Sequence, residues 1–180
     1  DIDGAEFVIR TAAVHDDNPE IAAARERGIP VFERAEAWGA IMQQYQNAVC
    51  IAGTHGKTTT TSMTTHIFMA AQADPTVMIG GTLPMLHSGY RVGGGQTIIL
   101  ESCEYCNSFL SFFPTVAVVL NVEEDHLDFF TGGLPEIKQS FRKFAELVPP
   151  DGRIVANADA PGAIDALQGL PLFTFGRSES

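Results

Sequence analysis

A chain of 180 residues in which 45% are apolar is long enough for a packed core and too hydrophobic for a disordered segment. The formal net charge of −11 argues against a nucleic-acid surface, and no apolar run approaches the roughly 18 residues of a membrane span. Three cysteines, Cys50, Cys103 and Cys106, are too few for a secreted disulfide framework, and the acidic start "DIDGAEF" does not read as a signal peptide, so the expected setting is cytoplasmic.

In chain order, "FVIRT" reads as a short strand. Asn18 as N-cap, Pro19 in the first turn and Gly28 as the stop predict a helix. "IPVF" is a second strand and Arg34–Gln46 a second helix. "AVCIA" (Ala48–Ala52) is a strand and Thr58–Ala71 a helix. "TVMIG" and "TIILE" are strands with "GYRVGGGQ" between them as a Gly-rich hairpin or loop. "TVAVVLN" (Thr115–Asn121) is continuously apolar. Pro135–Leu147 is a helix, "RIVAN" a strand, Pro161–Leu167 a short helix and "LFTF" a strand. Buried apolar strands alternating with helices predict an α/β fold, a mostly parallel sheet with helices on both faces. The first 46 residues offer too little for a core of their own, and resemble the tail of a preceding α/β unit. A linker is expected near Gln43–Asn47, with most of a second domain over 47–180 that stops short of a closing helix.

The stretch "VCIAGTHGKTTTTSM" carries the chemistry. A strand ending at Ala52, a turn with Gly53 and Gly56 and a helix starting near Lys57 aim backbone N–H groups and a helix N-terminus at one point, a cradle for phosphate. Lys57 is suited to the β/γ-phosphates and the Thr58 hydroxyl to Mg²⁺. The longer phosphate-loop pattern places a glycine where Ile51 stands, so the match is to the shorter G-T-H-G-K-T form. Glu101 closes the strand "TIILE" and His126 follows "TVAVVLN". Ligands gather at the carboxyl ends of parallel strands, where a carboxylate and an imidazole are suited to one divalent ion. The bland alternatives are a strand-end carboxylate satisfied by backbone N–H groups and a solvated loop histidine. Glu104 divides evenly between a metal role and a surface role.

The extended motif "GTHGKTTTTSM", the block "ILESCEYCNSFLSFFPTVAVVLNVEEDHLDFF" and the earlier stretch "TAAVHDDNPEIAAARERGIPVFERAEAW" together resemble the Mur ligase family of cell-wall peptide synthetases, in the family's order. The histidine and threonine run are similar to its alanine-adding members. The resemblance implies a P-loop NTPase-like central ATP-binding domain over 47–180. Residues 1–46 become the C-terminal remnant of a Rossmann-like uridine-nucleotide-binding domain with its linker. It also implies ATP and Mg²⁺ as cofactors, and an ATP-dependent ligase of peptidoglycan precursor synthesis. Such a ligase joins L-alanine to UDP-N-acetylmuramate through an acyl phosphate.

Lys57, Glu101 and His126 take the catalytic roles under this resemblance. Gly53, Thr54, His55, Gly56, Lys57, Thr58 and Thr59 hold the nucleotide, and Thr58, Glu101 and His126 the metal. Thr11 and Ala12, with Ala13 beside them, border the uridine-nucleotide site, and His55 faces the sugar acid. The family often carries D-E-S-D where this chain has Cys103-Glu104-Tyr105-Cys106, and these cysteines read as incidental rather than as a zinc or redox pair. Lys138 and Lys143 read as solvated helix residues and Phe109, Phe112 and Phe113 as packing. The alternatives are a ligase that attaches a whole peptide to the same sugar nucleotide, a folate-type polyglutamate ligase, and a module that binds ATP without turnover. The 180 residues alone are not expected to ligate.

Overall fold

The computed structural model describes residues 2–177. Among the described residues two sheets form, one parallel and one mostly parallel. The small one pairs β1 (Val8–Arg10) with β2 (Val31–Glu33), joined through α1 (Pro19–Glu26). Asn18 caps α1 by accepting a 3.0 Å hydrogen bond from the Glu20 N–H, as its side-chain chemistry predicts. The helix α2 (Arg34–Met42) then leads to the large sheet, made of β3 (Asn47–Ala52), β4 (Thr76–Leu83), β5 (Ser88–Arg91), β6 (Thr97–Glu101), β7 (Val116–Val119), β8 (Arg153–Asn157) and β9 (Leu172–Phe175).

Its strand order is β5-β4-β6-β3-β7-β8-β9, and all neighbours are parallel except the edge hairpin β4–β5. Helix α3 (Lys57–Ala70) covers one face, while α4 (Leu134–Glu146) and α5 (Pro161–Ala166) cover the other. The period of two along β3 explains its unbroken apolar run. Ala48, Cys50 and Ala52 enter the core beneath α4 with Leu100 and Val119, while Val49 and Ile51 enter the core beneath α3 with Val77 and Ile99. Helix α4 is amphipathic, placing Ile137, Phe141 and Phe144 on one buried stripe. Phe109 stacks flat on Phe144 at 4.6 Å and edge-on to Phe141 at 5.3 Å, so it is core packing, as expected. Phe112 is buried as well, but Phe113 is 53% exposed and departs from that expectation.

Three boundaries differ from the sequence reading. Helix α2 ends at Met42, four residues early, because Gln44 and Tyr45 close three-residue turns onto Ile41 and Met42. The Tyr45 hydroxyl then meets Thr76 Oγ1 at 2.8 Å. Strand β4 runs past Gly80 to Leu83, because Leu83 gains a partner in Ser88 of β5. The ladder of β7 stops at Val119, and Leu120 and Asn121 turn away toward β3.

The consequence for function lies at β3. From it the chain steps to β4 and β6 on one side, then crosses to β7, β8 and β9 on the other. The carboxyl end of β3 is therefore the switch point of the sheet, where an open crevice forms between diverging connections.

Candidate active site

The turn between β3 and α3 fills that crevice. Gly53 has φ +153° and Gly56 has φ +83°, the latter a left-handed N-cap that a side chain rarely adopts. A Cβ on Gly53 would lie 2.9 Å from Leu120 Cβ, so the glycine also permits close approach of the β7 exit. The run of four threonines divides by position. Thr58 and Thr59 are exposed at the mouth of the turn, whereas Thr61 is buried against the sheet, as is Thr65 beyond the run. Thr65 Oγ1 donates to Thr61 O at 2.8 Å, one helical turn back.

The segment after β7 clamps this turn. Asn121 Oδ1 accepts from the His55 N–H at 2.7 Å, and its Nδ2 donates to His55 O at 3.0 Å. Thr54 N–H donates to Asn121 O at 3.2 Å, and Thr54 Oγ1 accepts from the Glu123 N–H at 2.9 Å. Asn121 was read only as a strand end. Its two-sided amide is the chemistry that holds a backbone N–H and C=O together. Replacing Asn121 with alanine is expected to lower stability by about 1–2 kcal/mol, and Asn121→Asp, which keeps the acceptor alone, by less. Urea denaturation checks the order, and equal midpoints for all three proteins would contradict the clamp.

Lys57 opens α3 with its ammonium folded back on the turn. Nζ donates to Gly53 O at 2.6 Å and Thr54 O at 3.2 Å, and meets both Glu104 oxygens at 3.0 and 3.2 Å. Glu104 is 2% exposed, which rules out the surface role considered for it. It sits there because the segment after β6 coils into a 3₁₀ stretch (Tyr105–Ser111) with Cys106 and Asn107 at left-handed φ of 53° and 54°. Phe109, buried beneath α4, anchors the far end.

The predicted metal residues each meet further polar partners. Glu101, at the end of β6, accepts from Thr58 Oγ1 at 3.0 Å and from the Gly80 N–H at 2.7 Å. His126 instead lies beside Glu104, with Nε2 3.9 Å from Glu104 Oε1 and 4.0 Å from Asp125 Oδ2. Its ring packs on Tyr105 at 4.8 Å, and the Tyr105 hydroxyl donates to Asp128 at 3.1 Å. That bond and the Asp128 charge push the Tyr105 phenol above its usual range. Glu104, Asp125 and His126 offer ligand atoms within 4.8 Å of one another. Two carboxylates and an imidazole suit Mg²⁺ or Mn²⁺, and the Thr58–Glu101 pair offers further oxygen donors. The residues present fit a divalent ion. Of this cluster, His126 and Glu104 are metal candidates already in the sequence, and the fold adds Asp125.

The cysteines stay outside this chemistry. Among the described residues, none joins a cluster of metal-ligating side chains. Burial pushes the Cys50 thiol up to about 12 and raises that of Cys103, so neither is an activated thiolate. Lys138 pairs with Asp165 at 2.6 Å, and Lys143 lies in the last turn of α4, both away from the turn.

Thr11, Ala12 and Ala13 line a cleft of about 300 Å³ whose other wall includes Glu101, Cys103 and Tyr105. The expected substrate residues of the first segment thus face the same end of the sheet as the turn. His55 is exposed there, its Nε2 3.9 Å from Glu123 Oε2.

The chain matches the Mur ligase middle domain over residues 51–180 and the Mur ligase family catalytic domain over residues 2–46. The chain belongs to the Mur ligase family. This Mur ligase chain is 53% identical over 154 residues to a UDP-N-acetylmuramate–L-alanine ligase of Lachnospira eligens, covering 86% of the chain and 33% of that relative. A ligase of the same name from Caldanaerobacter subterraneus is 47% identical over 178 residues, or 98% of the chain and 38% of the relative. The crystal structure of the UDP-N-acetylmuramate-alanine ligase from Thermotoga maritima superposes with a TM-score of 0.83 at 29% identity, covering 99% of this chain and 41% of that one. A Neisseria UDP-N-acetylmuramate:L-alanyl-gamma-D-glutamyl-meso-diaminopimelate ligase, at 24% identity and a TM-score of 0.82 over 97% of this chain and 60% of that one, shares the fold. The Mur ligase chain thus spans about a third of the length of these curated relatives.

Proposed function

We propose that this chain is the ATP-handling part of a ligase that joins L-alanine to UDP-N-acetylmuramate in peptidoglycan precursor synthesis. One observation carries the reading. The 47–53% identity to ligases of that name runs through the segment that builds the Lys57 turn. Residues 47–180 are the central ATP-binding domain, and residues 1–46 are the end of a uridine-nucleotide domain with its linker. No helix among the described residues is long and apolar enough to cross a membrane, in keeping with a cytoplasmic enzyme acting on a nucleotide-linked sugar.

The reaction must bring a phosphoryl group onto a carboxylate, two anions that repel. The backbone N–H groups of Gly56, Lys57 and Thr58 and the positive end of α3 hold the phosphates, and the Lys57 ammonium stabilises charge spread over the transferring group. Thr58 with Glu101, and Glu104 with Asp125 and His126, would hold Mg²⁺. When bound, it supplies a Lewis acid that neutralises phosphate and carboxylate charge. Thr11 and Ala12 border the uridine nucleotide, Thr59 belongs to the nucleotide-holding turn, and His55 lines the mouth where the sugar acid enters. The carboxylate oxygen attacks the γ-phosphorus and displaces ADP, giving the acyl phosphate. The alanine amine then attacks the acyl carbon, forming the amide C–N bond as phosphate leaves and the amine gives up a proton.

The full-length ligase is expected to form the alanine amide when given ATP, Mg²⁺, UDP-N-acetylmuramate and L-alanine, read by mass spectrometry. Product with a peptide acceptor but not with alanine would reassign it to the peptide-attaching ligases. ATP binding with no product from either acceptor would make it a binding module.

A further inference from the structure

We propose that Glu104 is a built-in competitor of the nucleotide for Lys57, and that it makes phosphate binding depend on a divalent cation. The inference rests on the reading of the turn as a nucleotide site. An ammonium has three N–H donors. Around Lys57 Nζ stand four protein oxygens, those of Gly53, Thr54 and both carboxylate oxygens of Glu104, all at 2.6–3.2 Å. No donor is left over for phosphate, so an arriving phosphate must take one from these oxygens.

The two carbonyls are neutral and give way at little cost. Glu104 is charged, and at 2% exposure it has no water to turn to. A carboxylate stripped of its cation in such a place is strongly disfavoured, and its repulsion of a nearby phosphate is poorly screened. Phosphate alone therefore gains little from Lys57, since each bond it makes there uncovers a buried charge beside it.

A divalent cation removes the conflict. Glu104 Oε1 lies 3.9 Å from His126 Nε2 as well as 3.2 Å from Lys57 Nζ, and Asp125 completes a group of ligand atoms within 4.8 Å. A cation at that cluster replaces the ammonium as partner of Glu104 and frees Lys57 for the phosphates. Glu104 then acts as a positioning residue through Lys57. It selects the metal-complexed nucleotide over the free one.

Calorimetric titration of the 180-residue chain with ATP, in EDTA and in Mg²⁺, tests this with the wild type and two variants. The wild type is expected to bind at least about tenfold more tightly in Mg²⁺ than in EDTA. Glu104→Gln keeps the shape and loses the charge. It is expected to bind ATP in EDTA at least about fivefold more tightly than wild type, with a smaller gain from Mg²⁺. Glu104→Asp keeps the charge and is expected to stay weak in EDTA. Unchanged or weaker binding by Glu104→Gln in EDTA overturns the inference while leaving Mg-ATP binding in place. So does equal wild-type affinity with and without Mg²⁺, a result that needs no variant to fold. A wild type that binds ATP under neither condition would overturn the nucleotide reading itself.

Discussion

Replacing Lys57 with alanine is expected to weaken Mg-ATP binding at least tenfold, about 1.4 kcal/mol. Among the described residues the ammonium is the one cationic side chain bonded into the turn, and it lies at the N-terminus of α3, where the helix dipole already favours anions. The substitution also leaves Glu104, 2% exposed, without its nearest cation. Part of any loss of stability therefore comes from an uncompensated buried carboxylate and not from the turn. The comparison protein is Lys57→Ala with Glu104→Gln, which removes both charges together. If the ammonium contacts phosphate, the double variant recovers stability but not the affinity of wild type for Mg-ATP. Calorimetry giving equal affinities for wild type and Lys57→Ala would falsify the assignment.

Substituting Glu101 by glutamine in the full-length ligase is expected to lower the rate of amide formation at least about a hundredfold, or about 2.7 kcal/mol. Glutamine retains an acceptor for Thr58 Oγ1 or the Gly80 N–H, which Glu101 meets at 3.0 and 2.7 Å, so the local fold should persist. What disappears is the negative charge at the carboxyl end of β6, beside the first turn of α3. An oxygen site for Mg²⁺ built from Thr58 and Glu101 loses most of its attraction for the ion when the carboxylate becomes an amide. Two measurements separate this from a folding defect. The thermal midpoint of the variant should lie within a few degrees of wild type, while the Mn²⁺ affinity in the presence of nucleotide, read by electron paramagnetic resonance, should fall with the rate. A variant that ligates within threefold of wild type removes Glu101 from the charge-handling machinery.

The part of this molecule that could be read from residues is the part where local chemistry and tertiary demand agree. β3 and β6 are continuously apolar because both of their faces are covered, and the Gly53–Thr58 turn is legible because its glycines, lysine and threonine answer to one ligand chemistry. Asn18, Pro19 and the α1 cap follow from side-chain geometry alone. What escaped depends on contacts between distant segments. Glu104 reaches Lys57, 47 positions earlier in sequence, and the segment that follows it takes up left-handed conformations at Cys106 and Asn107, common for asparagine but not for cysteine. His126, itself at φ +50°, is aimed at Glu104 and Asp125 by that backbone choice, so pairing it with Glu101 from strand ends alone could not fix which carboxylate it would meet. Asn121 looked like the last residue of a strand. Leu120 N–H still bonds Ala52 O of β3, and Asn121, one residue on, carries its amide onto the His55 backbone, a contact between segments 66 positions apart.

The central claim is that nucleotide phosphates sit at the turn between β3 and α3. A crystal structure of this chain with Mg²⁺ and a non-hydrolysable ATP analogue tests it most directly. The expected result places phosphate oxygens within about 3 Å of the backbone N–H groups of Gly56, Lys57 and Thr58 and of Lys57 Nζ. Phosphates bound elsewhere on the sheet, with Lys57 still held by Gly53, Thr54 and Glu104, would contradict it.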